Sequence, residues 1–207
     1  IQSLGKSASL LPDGEIFDEE IKYFFEKAQA NREKYFKRCR KETARKDDII
    51  APQRKKFYEQ RNAVLFNAEV ANSIVSEIVA QSDYTIESVN EHLLALYLKT
   101  RELVIRSTKN NPNRLSVYVP FSDKLHPFAI LLEAELTIAS PDYFCKEFKR
   151  QIILQIYDKQ WKRFVLHLDR NEIEMLDGKY LKMMADIRAI ILSRLLHSSI
   201  PFEVRNE

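Results

Sequence analysis

An all-α fold follows from three features of the sequence. Only 3 of the 207 residues are glycine, which leaves little material for the tight turns of a sandwich or barrel. Charged side chains make up 30% of the chain, a share suited to solvated helix surfaces. Apolar residues recur at spacings of three and four over long segments, the period of a single helix face. At this length the chain forms one large domain or two small ones and can bury a real core.

Residues 1 to 14 carry polar side chains with Gly5, Pro12 and Gly14, and read as an entry linker. Asp18 can cap a helix with Ile21, Phe24, Phe25 and Ala28 on one face. From Arg32 to Lys46 eight basic residues stand against Glu33 and Glu42. Pro52 then starts a fresh helix or kinks a continuous one, because it has no N–H to continue the ladder. The strongest helix signal comes next: Phe57, Arg61, Val64, Leu65, Ala68, Ala71, Ile74, Val75, Ile78 and Val79 share a stripe. A further helix runs from Ile86 to about Arg106, with Thr85 as its cap and Glu87 and Ser88 in its first turn.

Residues 107 to 127 form a long connection containing Pro112, Pro120 and Pro127. Within it Leu115, Val117, Val119 and Phe121 alternate, as in a short strand or a packed loop. His126 to Ile138 is expected to be helical, and Ser140-Pro141-Asp142 opens the next helix. That helix places Ile153, Tyr157, Trp161, Phe164, Val165 and Leu168 on one stripe, with Lys159, Lys162, Arg163 and Arg170 around the other side. Asn171 to Gly178 interrupts the pattern. A last helix carries Leu181, Met184, Ile187, Ile190, Ile191, Arg194 and Leu195, so the final two helices make a hairpin.

The chemistry-bearing motifs are few. The sequence contains no GxxxxGK[ST], GxGxxG or HExxH pattern. His92, His126, His167 and His197 are isolated, and His167 reads as a surface or half-buried helix residue. Asp47-Asp48 reads as a solvated helix end rather than a metal site. Catalytic and metal-ligating residues are therefore expected to be none. Cys39 and Cys145 lie far apart, which predicts no disulfide framework and fits a reducing compartment. A net charge of +3, from 33 basic side chains against 30 acidic ones on the same surface, does not favour nucleic acid. The run from Arg32 to Lys46, with Tyr35 and Phe36, could hold phosphates and stack bases, but a helix face against an acidic protein surface is the preferred reading. No apolar run reaches transmembrane length, and no signal peptide is evident. The chain begins at Ile1, as expected of a piece of a larger protein.

Two separated stretches resemble the C-terminal half of SecA, the ATPase that drives preproteins through the SecY channel. In the first, Ala28-Gln29, Glu33, Arg40-Lys41, Asp47-Asp48-Ile49, Gln53-Arg54 and Tyr58 with Arg61 fall in the family's register without a gap. In the second, Leu154-Gln155, Asp158, Trp161 and Asp169 match, while Phe164, Val165 and Leu168 replace the family's His, Leu and Met. The chain departs from the family in its shorter, acidic finger loop RNEIEMLDGKY, in Pro52 and Arg45-Lys46, and in lacking the zinc-binding tail. These departures point to an accessory or strongly diverged member.

The resemblance implies four segments. Residues 1–42 would be a linker and the end of the second nucleotide-binding domain, and 43–67 the long scaffold helix. Residues 68–145 would be an inserted helical wing domain, and 146–207 the two-helix finger with the C-terminal scaffold helix. Phe57, Tyr58, Val64, Leu65, Ile153, Tyr157, Trp161, Phe164 and Leu168 would form the scaffold–finger core. Ile173, Met175, Leu176 and Tyr180 would face the client or channel at the finger turn, or else Met175 and Leu176 would fold back to seal it. The implied partners are preprotein clients, the SecY channel and motor domains of the same parent chain. The implied place is the cytoplasmic face of the plasma membrane. This chain would hold no cofactor, ATP and Mg being bound by the parent's motor domains. Without such a motor, the chain would be a stand-alone helical binding module of the chaperone or effector kind.

Overall fold

A computed structural model of the chain describes residues 19–110, 116–124, 126–167, 175–201 and 205–206. The elements run α1 (Glu19–Phe66), α2 (Ala68–Ala80), α3 (Ile86–Asn110), β1 (Ser116–Ser122), β2 (Pro127–Glu133), α4 (Ala134–Ala139), α5 (Pro141–Leu166), α6 (Leu176–His197) and β3 (Arg205–Asn206). Helices dominate the described residues, as the composition requires. A small antiparallel sheet, in the order β2-β1-β3, is the addition. The chain divides into two compact units at Pro52, residues 1–52 and 53–207.

The first unit's described part is the stretch of α1 up to Pro52. Tyr23, Phe24, Phe25, Tyr35 and Phe36 are all exposed on it. Local contacts support this stretch: Lys27 lies over the Tyr23 ring, Arg32 over Phe36 and Arg38 over Tyr35. These pairs sit three or four residues apart, where helix side chains meet. Pro52 lies inside α1 and starts no new helix. Its ring deprives the carbonyl of residue 48 of its usual donor.

In the second unit α1 ends at Phe66, and Asn67 caps α2 by accepting the Glu69 N–H at 2.9 Å. Arg150 of α5 donates to the Leu65 carbonyl at 3.0 Å, satisfying one of the acceptors left over at the end of α1. The same guanidinium is held by both Glu147 oxygens, at 2.7 and 2.8 Å. Helix α5 is the centre of the unit. Phe144, Phe148, Ile152, Ile153, Ile156 and Tyr157 are buried on nearly all of its sides, as expected of a helix surrounded by others. It packs on α2, α3, α4, α6 and β2.

The stripe read from Phe57 through Val79 is broken at Asn67 into two helices, and one further segment differs from expectation. The segment from His126 to Ile138 is not one helix; Pro127–Glu133 is a strand, and only Ala134–Ala139 is helical. Leu, Ala and Glu are good helix formers, which is what the local reading registered. The deciding feature is alternation: Phe128, Ile130 and Leu132 point inward, opposite Phe121, Val119 and Val117 of β1. Pairing with β1 buries all six, and burial overrides propensity. Pro120 lies within β1, where β3 pairs with Val117 and Tyr118 and Ser199 bridges to Ser122. The alternation over 116–122 thus resolves as a strand.

Candidate functional site

Helix periodicity brings Phe57, Arg61 and Val64 onto one face of α1, and Ile153, Tyr157, Trp161 and Phe164 onto one face of α5. The two faces meet through aromatic rings. Phe57 stacks on Trp161 with centroids 4.6 Å apart and planes 17° from parallel. Tyr157 lies 5.4 Å from Phe57, Tyr58 meets Trp161 edge-on at 6.1 Å, and Phe164 tilts against Trp161 at 5.5 Å. Phe164 reaches Tyr180 of α6 at 6.2 Å, carrying the ladder into the third helix.

Beside the rings, the Arg61 guanidinium forks onto Asp158: Nε donates to Oδ1 at 2.5 Å and Nη2 to Oδ2 at 2.9 Å. This bidentate contact holds the Arg61 pKa above its ordinary value. Gln53 donates to Asp177 at 2.7 Å, tying α1 to the first turn of α6. Gln155 donates to the Ala129 carbonyl of β2 at 2.6 Å. Lys146 pairs with Glu69 at 2.6 Å, which lowers the Glu69 pKa and raises that of Lys146. Burial pushes the Tyr157 and Tyr180 phenols above the usual tyrosine value.

Of the anticipated core residues, Phe57, Val64, Ile153, Tyr157 and Trp161 are buried, while Leu65 and Phe164 are half-buried. Tyr58 is 42% exposed, because the next position on a helix turns away from the stripe; only its ring edge reaches Trp161. Leu168 lies outside the described residues. At the finger turn, Met175 is 64% exposed, Tyr180 is half-buried, and Leu176 is turned inward at 4% exposed. Ile173 lies outside the described residues.

An open groove of ≈ 830 Å³ lies along α6, between the stretch of α1 around Lys56 to Gln60 and the end of α2. Tyr180, Leu181, Met184 and Leu192 line it, with Lys56, Glu59 and Arg188 among its polar members. Arg188 forks to Glu77 at 2.7 Å and Gln81 at 3.0 Å, fixing one wall. Leu181, one of the apolar residues of the last helix, is 68% exposed. The spacing of Leu181, Met184 and Arg188 places them on a common face, the one signal of the groove in the sequence. Such a groove can receive apolar side chains of a polypeptide. No group of three or more metal-ligating side chains occurs among the described residues. No single helix there is long and apolar enough to cross a membrane.

A family model described as the SecA Wing and Scaffold domain matches residues 15–175, over three quarters of the chain. The match runs through α1 to α5 and stops at the residue before α6. No curated protein and no solved structure matches the chain. The residues that clasp here, Tyr58 and Arg61 with Asp158 and Trp161, belong to the two stretches that resemble SecA. The chain therefore belongs to the SecA wing and scaffold domain family, and its role is a SecA-related one in protein translocation.

Proposed function

We propose that the chain is the client-handling C-terminal part of a SecA-like motor that moves preproteins through the SecY channel. ATP and Mg would be bound and hydrolysed by motor domains of the parent protein, at the cytoplasmic face of the plasma membrane. The observation that carries this reading is the clasp of α1 on α5, with Arg61 on Asp158 and Phe57 on Trp161. It seats the α5–α6 hairpin on a long helix, as a scaffold seats a two-helix finger. Residues 68–145 would then be the wing, and 146–207 the finger with the C-terminal scaffold helix.

Client contact is assigned to Met175, Tyr180 and the neighbouring Leu181. Exposed apolar side chains beside an apolar groove are accounted for by a partner that covers them. Photo-crosslinkers at Met175, Tyr180 and Leu181 of the full-length protein, with a stalled preprotein and SecY membranes, are expected to form adducts to client or channel. Purely intramolecular products would defeat the assignment. A parent reading frame without phosphate-binding motifs would instead make the chain a stand-alone binding module.

A further inference from the structure

On the far side of α5 from the aromatic ladder, a second recess of ≈ 370 Å³ opens between α5, α6 and the start of β2. Its charged members are Lys159 and Arg163 of α5 and Arg194 of α6 against the one carboxylate of Asp123, with His126, Gln155 and Gln160 beside them. Its apolar members are Phe128, Ile156 and Ile190. Arg194 is unusual among them because its side chain is only 7% exposed. Asp123, 2% exposed, places Oδ2 2.9 Å from its Nε, an ion pair by proximity rather than an aligned hydrogen bond, and the guanidinium lies over the Phe128 ring, 4.5 Å from the centroid. The Asp123 carboxylate also accepts the His126 backbone N–H at 2.5 Å.

Burying an arginine is costly unless its charge is answered, and here one carboxylate answers one guanidinium. Burial and the Phe128 ring confine the arginine, so less side-chain entropy remains to be lost on binding. Lys159 and Arg163 add two further positive charges at the recess and make no ion pair among the described residues. The net field in the recess is therefore positive, over an aliphatic and aromatic lining. A bare inorganic anion would leave that apolar lining uncovered. A purely apolar segment would leave the cations desolvated and unanswered.

We propose that this recess binds a carboxylate-bearing segment of polypeptide in which an acidic side chain lies next to aliphatic ones. The carboxylate meets Lys159, Arg163 and the fixed Arg194, and the aliphatic neighbour covers Ile156 and Ile190. The volume suits one or two side chains rather than a folded surface. The site is separate from the groove along α6 and stands whether or not that groove handles clients.

The test uses the whole chain with isoleucine δ1-methyl labels, so that Ile156 and Ile190 report directly. The probe is a capped pentapeptide of leucine, glutamate, isoleucine, glutamate and glycine; its control carries glutamine for both glutamates. The glutamate peptide is expected to shift both methyl signals saturably, and the glutamine peptide to bind at least about tenfold more weakly. The double variant Lys159→Gln with Arg163→Gln should weaken the glutamate peptide by about the same factor. Both side chains are exposed, so folding is preserved, and the Ile methyl spectrum checks it. Lys162→Gln, on the same helix but not in the recess, should leave binding unchanged. Equal binding of the two peptides, or no loss in the double variant, overturns the proposal. So does inorganic phosphate shifting the same methyls as strongly as the peptide does, which would make this a free-anion site.

Discussion

Trp161 stacks on Phe57, meets Tyr58 in a T-shaped contact and Phe164 at a tilt, and it is 8% exposed. Its removal would leave a cavity between two helices that backbone shifts cannot close. Trp161→Ala is expected to cost about 3–5 kcal/mol of unfolding free energy, read by urea denaturation with circular dichroism. Fluorescence cannot serve for that variant, since it removes the chain's one tryptophan. The neighbouring Arg61–Asp158 contact is weaker than its geometry suggests. Asp158 is 54% exposed, so water screens the pair, and the fork offsets only part of that loss. A double-mutant cycle with Arg61→Ala and Asp158→Ala should give a coupling of about 1 kcal/mol. A coupling indistinguishable from zero would mean that the rings alone hold α1 to α5.

Between elements, α3 is pinned to the end of α6 by His92, whose Nε2 lies 2.9 Å from the Ser198 carbonyl. A carbonyl only accepts, so Nε2 carries the proton and the neutral ring leaves Nδ1 bare. Burial lowers the His92 pKa, a shift that the Ser198 hydrogen bond only partly opposes. With the folded value depressed, the unfolded chain binds the proton more readily. This share of stability is complete above the ordinary histidine value of about 6.5 and is lost as pH falls below it toward the folded value. The urea midpoint should drop across that acidic window. His92→Asn, whose amide can donate to Ser198 without titrating, should flatten that part of the profile. An unchanged slope would assign the acid sensitivity to other groups.

For the whole molecule, the division at Pro52 separates a solvated, basic stretch of helix from a unit built around α5. No phosphate-cradling loop occurs in the sequence, and three glycines provide little for one. The purified chain is expected neither to hydrolyse ATP nor to bind it tightly, by coupled phosphate release and by calorimetry. Turnover that copurifies with the chain through successive columns would contradict this and place a nucleotide site where the sequence shows none.

Much of the fold was legible because helix stripes are local. The members of a stripe lie within a few residues of one another, and Phe57, Ile153, Tyr157 and Trp161 declare their burial by spacing alone. The kinship was legible for a related reason, since the motif residues keep their order along the chain. Three things were settled only by tertiary structure. Pro127–Glu133 became a strand because β1 stood opposite, and no window over that segment contains its partner. The groove beside α6 exists because α1 near Gln60 and the end of α2 converge on Leu181 and Met184, which the spacing could place only on a common helix face. The Asp123–Arg194 pair joins the β1–β2 turn to α6, and nothing near either residue names the other. Periodicity reports which face of an element is apolar. Which distant surface covers that face, or leaves it open, depends on packing the whole chain at once.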